Sequence, residues 1–313
     1  MELKIHCRFM VNSLISLAVI CFLLQAAPAL AGGGPFRYQK VEIADNAAPV
    51  MNVAGFKVMH EISEQETLLD IARDYGLGFN EMELLYPDMD PWLPSEGKKV
   101  VIPLRWVLPP TRHEAVVINI PEMRLYRFFP EDRLVKTYPV GIARQGKNTP
   151  ITDTKVVEHI KNPNWTAPDN SQNENNSSVV PPGPSNPLGN RWIGLGVDHT
   201  GIHGTNFAWS IGRRSSQGCI RMYPEDVKEF FNEALMGTRV EIIYEPVKVG
   251  VRDSKIFVEV HPDINDLIPD LYEHAVSLLE ERALLAGVDR EKLRDAVAEK
   301  NGMPRAVGII AKP

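Results

Sequence analysis

His203 and Cys219 stand sixteen positions apart in the stretch IHGTNFAWSIGRRSSQGCIRM, and their side chains are of the types that form a nucleophile and its base. A thiol attacks as the thiolate, so near neutral pH it needs a base or a positive neighbour. Gly201 and Gly204 disfavour a helix around the histidine and permit close backbone approach. Gly218, just before the cysteine, frees backbone N–H groups to point at a developing oxyanion. Two other readings stay open at this point. Cys219 could be a small core residue, since free cysteine is among the most buried types. His199, His203 and Cys219 could also hold zinc, although no fourth ligand is evident and the glycines break the spacing that sets two histidines on one helix face.

The compartment bears on what such a thiol means. Lys4 and Arg8 precede the apolar run LISLAVICFLL and the small-residue end APALA, which predicts a secretory signal cut after Ala31. The apolar run is shorter than the roughly 20 residues that span a bilayer, so no transmembrane segment is expected in the mature chain. Cys7 and Cys21 fall in the signal, leaving Cys219 without an intrachain partner; an unpaired thiol in an exported protein is either buried and inert or a working nucleophile. Loss of Glu2, Lys4 and Arg8 takes the formal charge from −6 to about −7. With no polybasic run, nucleic acid is not an expected partner.

Several elements must position these residues. Residues 32–55, rich in Gly, Ala and Pro, read as an N-terminal tether or an edge segment. Residues 56–104 read as a βααβ unit: a strand FKVMHEI, a helix in which Ser63 and Glu66 form a capping box and Gly76 a stop, a second helix NEMELLYPD, and a strand KKVVIPL. From His113 the chain turns β-rich, with the runs EAVVINI, MRLYRFF, LVKTYPVGI and TKVVEHI. The polar stretch 161–190 reads as a functional lid or binding loop. Pro224, Glu225 and Asp226 open a helix whose buried stripe is Val227, Phe230, Phe231, Ala234 and Leu235. Residues 248–313 form a C-terminal extension with a strand and two amphipathic helices near 270–286 and 289–300.

The block His203-Gly204-Thr205 followed by Ser216-Gln217-Gly218-Cys219-Ile220-Arg221-Met222 resembles the signature of the YkuD-type L,D-transpeptidases. YPVGIARQGKNTP at 138–150, NPNWTAP at 162–168 and VVPPGPSNPLG at 179–189 extend the resemblance over about 113–247. It is similar to the periplasmic enterobacterial subgroup that tethers the major outer-membrane lipoprotein to peptidoglycan, and 56–104 resembles a LysM module. The resemblance implies a mainly β chain: a YkuD-like β-sandwich catalytic domain at 113–247 with a short helix after the nucleophile, behind a LysM-like module and ahead of a helical tail. It implies Cys219 as nucleophile and His203 as base, oriented by the Gly204 carbonyl. Gly218, Gly204, Gln217, Ser216 and Thr205 would support the oxyanion and the site, and Arg221 would hold the loop or a substrate carboxylate. Gln217 stands where many members carry histidine. No cofactor or metal is implied. The expected substrates are peptidoglycan tetrapeptide stems in the periplasm, cleaved between diaminopimelate and D-alanine through a cysteine acyl-enzyme. The acyl group would pass to another stem in a 3-3 cross-link or to a lipoprotein lysine. The alternatives are an L,D-carboxypeptidase or hydrolase at the same site and a non-catalytic peptidoglycan-binding scaffold.

Overall fold

Strands from the β-branched runs align in one sheet in the order Gly33–Arg37, Leu134–Pro139, Arg124–Phe129, Val116–Asn119, Arg239–Ile243, Thr152–Lys161, Arg191–Leu195, Gly201–His203 and Ile220–Arg221. The computed structural model describes residues 33–41, 50–166, 179–197 and 199–310. The expected signal at 1–31 and the middle of the polar stretch, 167–178, lie outside the described residues.

The long strand Thr152–Lys161 is the fold's corner. Its first residues pair with Arg239–Ile243 and its last with Arg191–Leu195. The sheet therefore doubles over a shared core in which Val116, Ile118 and Leu125 from one half meet Ile193, Ile202 and Ile220 from the other. The expected sandwich is thus one folded sheet among the described residues. Helix Pro224–Glu233 lies on this core through Val227, Phe230 and Phe231, with Pro224 at its first position and Glu225 and Asp226 in its first turn. Leu235, expected on the buried stripe, falls beyond the helix end and is exposed.

Within the segment read as a tether or an edge segment, the described residues include strands at 33–37, 40–41 and 50–55. Gly33–Arg37 forms the edge strand beside Leu134–Pro139. Val50–Gly55 pairs with Val247–Arg252 and with Arg105–Val107. The latter sheet continues through Lys255–Val260 and Arg305–Ile309, and helices Leu271–Glu281 and Arg290–Glu299 close over it through Leu279 and Leu293.

Between them, residues 58–102 run strand, helix, helix, strand, with Val58–Glu61 antiparallel to Lys99–Ile102. The first helix is Leu68–Asp74 and its cap is Thr67, whose hydroxyl accepts the Asp70 N–H at 3.0 Å while Asp70 accepts the Thr67 N–H at 3.1 Å. Glu66 accepts the Ser63 N–H at 2.9 Å, the backbone half of the expected box, and meets His60 at 2.8 Å, but the helix itself starts four residues later. Leu68, Ile71, Met82 and Ile102 share a core with Val117, Tyr126 and Phe128 on the outer face of the large sheet. Burial on both faces explains why VVIN at Val116–Asn119 carries little alternation in the sequence.

Candidate active site

Strand register assembles the site. Antiparallel pairing sets Trp192 opposite His203 and Gly194 opposite Gly201. Parallel pairing sets Ile202 beside Ile220 and His203 beside Arg221. Side chains alternate across a strand, so Ile202 and Ile220 enter the core while His203, Arg221, Trp192 and Cys219 share the other face. Gly201 is the bare position on that face. A Cβ there would lie 2.5 Å from the Trp192 indole, so only glycine lets the ring cross the strand. The ring stacks on His203 with centroids 5.8 Å apart and planes at 26°, and its Nε1 donates to Glu158 at 2.5 Å.

His203 is 4% exposed, and its Nδ1 lies 2.5 Å from the Gly204 carbonyl oxygen. A carbonyl only accepts, so Nδ1 carries the proton and Nε2 keeps its lone pair. Burial pushes the imidazole pKa down to about 4; the Gly204 bond opposes this and the Arg221 charge reinforces it.

Cys219 is partly buried and its thiol donates to the His199 carbonyl at 3.4 Å. Burial raises its pKa above the ordinary thiol value, while the Gly201 N–H and the Arg221 guanidinium pull it back. Both partners are therefore neutral at rest. Among the described residues no hydrogen bond joins the thiol to His203. His199 meets the thiol through its backbone carbonyl, which gives no support to a zinc set with the two side chains.

The remaining predicted residues hold the loop. Gly218 has φ +147 and its N–H donates to Ser216 Oγ at 3.1 Å, while that hydroxyl donates to the Cys219 carbonyl at 2.6 Å. The Gly218 N–H, expected to face an oxyanion, is thus engaged by a hydroxyl two residues back in a local side-chain turn. Gln217 is exposed and accepts from Arg144 Nη2 at 3.4 Å, away from the thiol's bonds. Thr205 Oγ1 accepts the Phe207 N–H at 3.0 Å and fixes the turn after the histidine. Gly204 packs against Val227, where a Cβ would approach to 3.1 Å. Arg221 Nη1 donates to Ser215 Oγ at 3.3 Å, leaving its buried Nε without a partner.

Trp192, Glu158 and Thr149 escape sequence reasoning. The alternation in RWIGL, with Trp192 and Gly194 on one face, is a signal for the first. Thr149, which donates to the Gly218 carbonyl at 3.1 Å and accepts the Ala143 N–H at 3.1 Å, leaves none. Elsewhere Glu122, Glu259 and His261 come close enough to suggest metal ligands, but the Lys248 ammonium already bonds the two carboxylates at 2.8 and 2.7 Å.

Residues 113–242 match the profile of the L,D-transpeptidase catalytic domain, YkuD. The probable L,D-transpeptidase YbiS of Escherichia coli K12 is 36% identical over 250 residues, covering 74% of this chain and 80% of its own length. The probable L,D-transpeptidase ErfK/SrfK of the same strain is 37% identical over 208 residues, covering 64% and 67%. Among solved structures, an L,D-transpeptidase from Mycobacterium smegmatis aligns with 67% of this chain and 100% of its own at 14% identity and a TM-score of 0.34.

Proposed function

The chain belongs to the L,D-transpeptidase family, and on that premise we propose that Cys219 is the residue it acylates and His203 the base. Its activity is that of a peptidoglycan L,D-transpeptidase. The observation that carries the assignment of residues is the strand register, which turns His203, Cys219 and Arg221 to one face with Nε2 unprotonated.

In a tetrapeptide stem, Cys219 Sγ attacks the carbonyl carbon of the diaminopimelate that precedes D-alanine, and the thiol proton passes to His203 Nε2. Collapse of the tetrahedral intermediate breaks the C–N bond; the imidazolium returns the proton to the departing D-alanine amine and a thioester remains. An acceptor amine then attacks the thioester, gives its proton to His203 and releases the thiol. Because both groups rest neutral, the thiolate forms only as the reaction begins, and the Gly201 N–H and Arg221 stabilise it. With the Gly218 N–H engaged, the Cys219 N–H is the oxyanion donor next to the nucleophile; one such donor contributes about 3 kcal/mol.

A second stem as acceptor yields a 3-3 cross-link, a lipoprotein lysine yields an anchor, and water yields a carboxypeptidase. The chain works in the periplasm after cleavage behind Ala31, and the unit at 56–104 is a LysM-like module held against the catalytic sheet. Incubation of the protein with disaccharide-tetrapeptide, with and without a lysine-containing peptide, tests the acceptor. Cross-linked dimer or lysine adduct supports transfer; tripeptide as the sole product would make the chain a hydrolase.

A further inference from the structure

The residues around the nucleophile are basic in a chain that is acidic overall. The sequence has 40 aspartates and glutamates against 34 lysines and arginines, yet 133–152 and 199–224, the two stretches that surround Cys219, contain no acidic residue. Most of their cations are engaged elsewhere. Lys136 is held by Glu229 and Glu233 at 2.7 and 2.6 Å, the Arg213 guanidinium carbon lies 3.9 Å from the Phe79 ring centroid, and Arg214 donates to the Ile264 carbonyl at 2.6 Å. Arg221 is turned to Ser215 beside the thiol.

Arg144 is placed differently. It is exposed, and its Nη2 donates only to the neutral amide oxygen of Gln217, at 3.4 Å; among the described residues it meets no carboxylate. Its backbone, by contrast, is built into the nucleophile loop. Ile142–Ala143 pairs in parallel with Arg214–Ser216, and the Arg144 N–H donates to the Ser216 carbonyl at 2.9 Å. The Arg144 carbonyl accepts the Lys147 N–H at 3.0 Å and closes a turn, and Thr149 Oγ1 ties the end of that turn to the Gly218 carbonyl at 3.1 Å. A Cβ at Gly218 would lie 3.2 Å from the Asn148 carbonyl oxygen, so the turn sits directly against the residue that precedes the nucleophile. A cation carried on so braced a backbone loses little freedom when it takes a ligand.

The donor residue of the stem has two ends. Diaminopimelate offers Cys219 its main-chain carbonyl, and the far end of its side chain carries a free carboxylate beside an amine. A guanidinium holds a carboxylate through two parallel N–H···O bonds, a geometry that a carboxamide cannot match. Arg221 serves the thiol itself, whereas Arg144, set back behind Gln217, stands where the end of a side chain would reach.

We propose that Arg144 binds the distal carboxylate of the donor diaminopimelate and so selects stems in which that group is the free acid over stems in which it is the carboxamide. This deepens the transpeptidase reading and rests on it. Once Arg144 turns to the carboxylate, the Gln217 amide oxygen is released as an acceptor for the neighbouring ammonium.

The test compares two donors, disaccharide-tetrapeptide with the distal carboxylate free and the same compound with it converted to the carboxamide. The rate of acyl-enzyme formation is followed in a single turnover with no acceptor amine added, which confines the reading to the donor. Wild-type protein is expected to favour the acid about tenfold or more in the second-order acylation rate constant, chiefly through tighter binding. Arg144→Gln is expected to bring the two donors within about threefold of each other, and Arg144→Glu to invert their order. Lys255→Gln, which removes an exposed cation from the C-terminal sheet, is expected to keep the wild-type preference. Equal melting curves show that the variants fold, and a loosened site would slow both donors alike without changing their ratio. Wild-type protein that acylates equally from both donors, or an Arg144→Gln variant that keeps the full preference, would overturn the proposal and leave the transpeptidase reading standing. Absence of acyl-enzyme from either donor would overturn the transpeptidase reading and the proposal with it.

Discussion

His203 and Cys219 both lean toward their neutral forms, and that tilt has consequences in pH. With the imidazole pKa at about 4, kcat/KM is expected to hold down to that region and fall only as pH drops through it, because an imidazolium cannot accept the thiol proton. At the alkaline side the raised thiol makes alkylation by iodoacetamide climb with pH without a plateau near neutrality. Trp192 contributes to the dehydration of the imidazole, so Trp192→Ala should move the acid limb of the rate profile upward toward 6.5. An unmoved limb would show that the stacked ring has no part in it. His203→Gln, which removes the proton acceptor, should cost about 10²–10⁴-fold in kcat with the fold intact. Linkage runs in the same direction for the fold: a histidine depressed from 6.5 to about 4 contributes stability that is complete above pH 6.5 and is lost as pH falls toward 4. The histidine, the cysteine and the arginine were legible in the sequence because their types and spacing are unusual. Trp192 and Glu158 were not, since a tryptophan in a strand reads as core until register shows which face it takes.

Helix Pro224–Glu233 carries an opposite titration. Asp226 has a sealed Oδ2 without a partner, and burial with Glu225 and Glu229 nearby raises its pKa to about 7. The unfolded chain ionises at about 3.8 and the folded one only near 7, so this group costs stability as pH rises between them. Asp226→Asn should therefore stabilise the protein by about 1 kcal/mol at pH 8, roughly 2–4 °C in Tm, and by nothing at pH 3. A gain equal at both pH values would refute the assignment to ionisation. On the neighbouring strand, Gly201→Ala pushes a methyl into the indole of Trp192, with an expected loss of about 100-fold in kcat/KM and about 1–3 kcal/mol in stability. Helix starts were readable from Pro224, yet Ser63 and Glu66 misplaced one cap by four residues because Thr67 and Asp70 form the complete box at the helix start. For the edge strand Gly33–Arg37 the sequence left a tether and an edge segment open, because its partner Leu134–Pro139 lies about a hundred residues away and nothing local records such pairing.

Across the whole molecule, a buried charge network ties the small unit, the catalytic sheet and the C-terminal sheet. Arg124 binds Glu81 at 2.5 Å, Asn80 donates to the Glu122 carbonyl at 3.0 Å, and Lys248 joins Glu122 to Glu259, which also accepts the Val107 N–H at 2.6 Å. Lys248→Ala would leave two carboxylates buried without their cation and should cost about 3–5 kcal/mol, read as a lower denaturant midpoint. Composition gave no hint of this lock, because its charges are scattered over nearly 180 residues and meet only in the folded chain. Turnover through Cys219 requires a thioester on its sulfur, which intact-protein mass spectrometry after brief exposure to disaccharide-tetrapeptide detects. The expected result is an adduct equal to the substrate less D-alanine, removed by hydroxylamine and absent from Cys219→Ala. D-alanine released by a folded Cys219→Ala variant, or an adduct that survives that substitution, would contradict it.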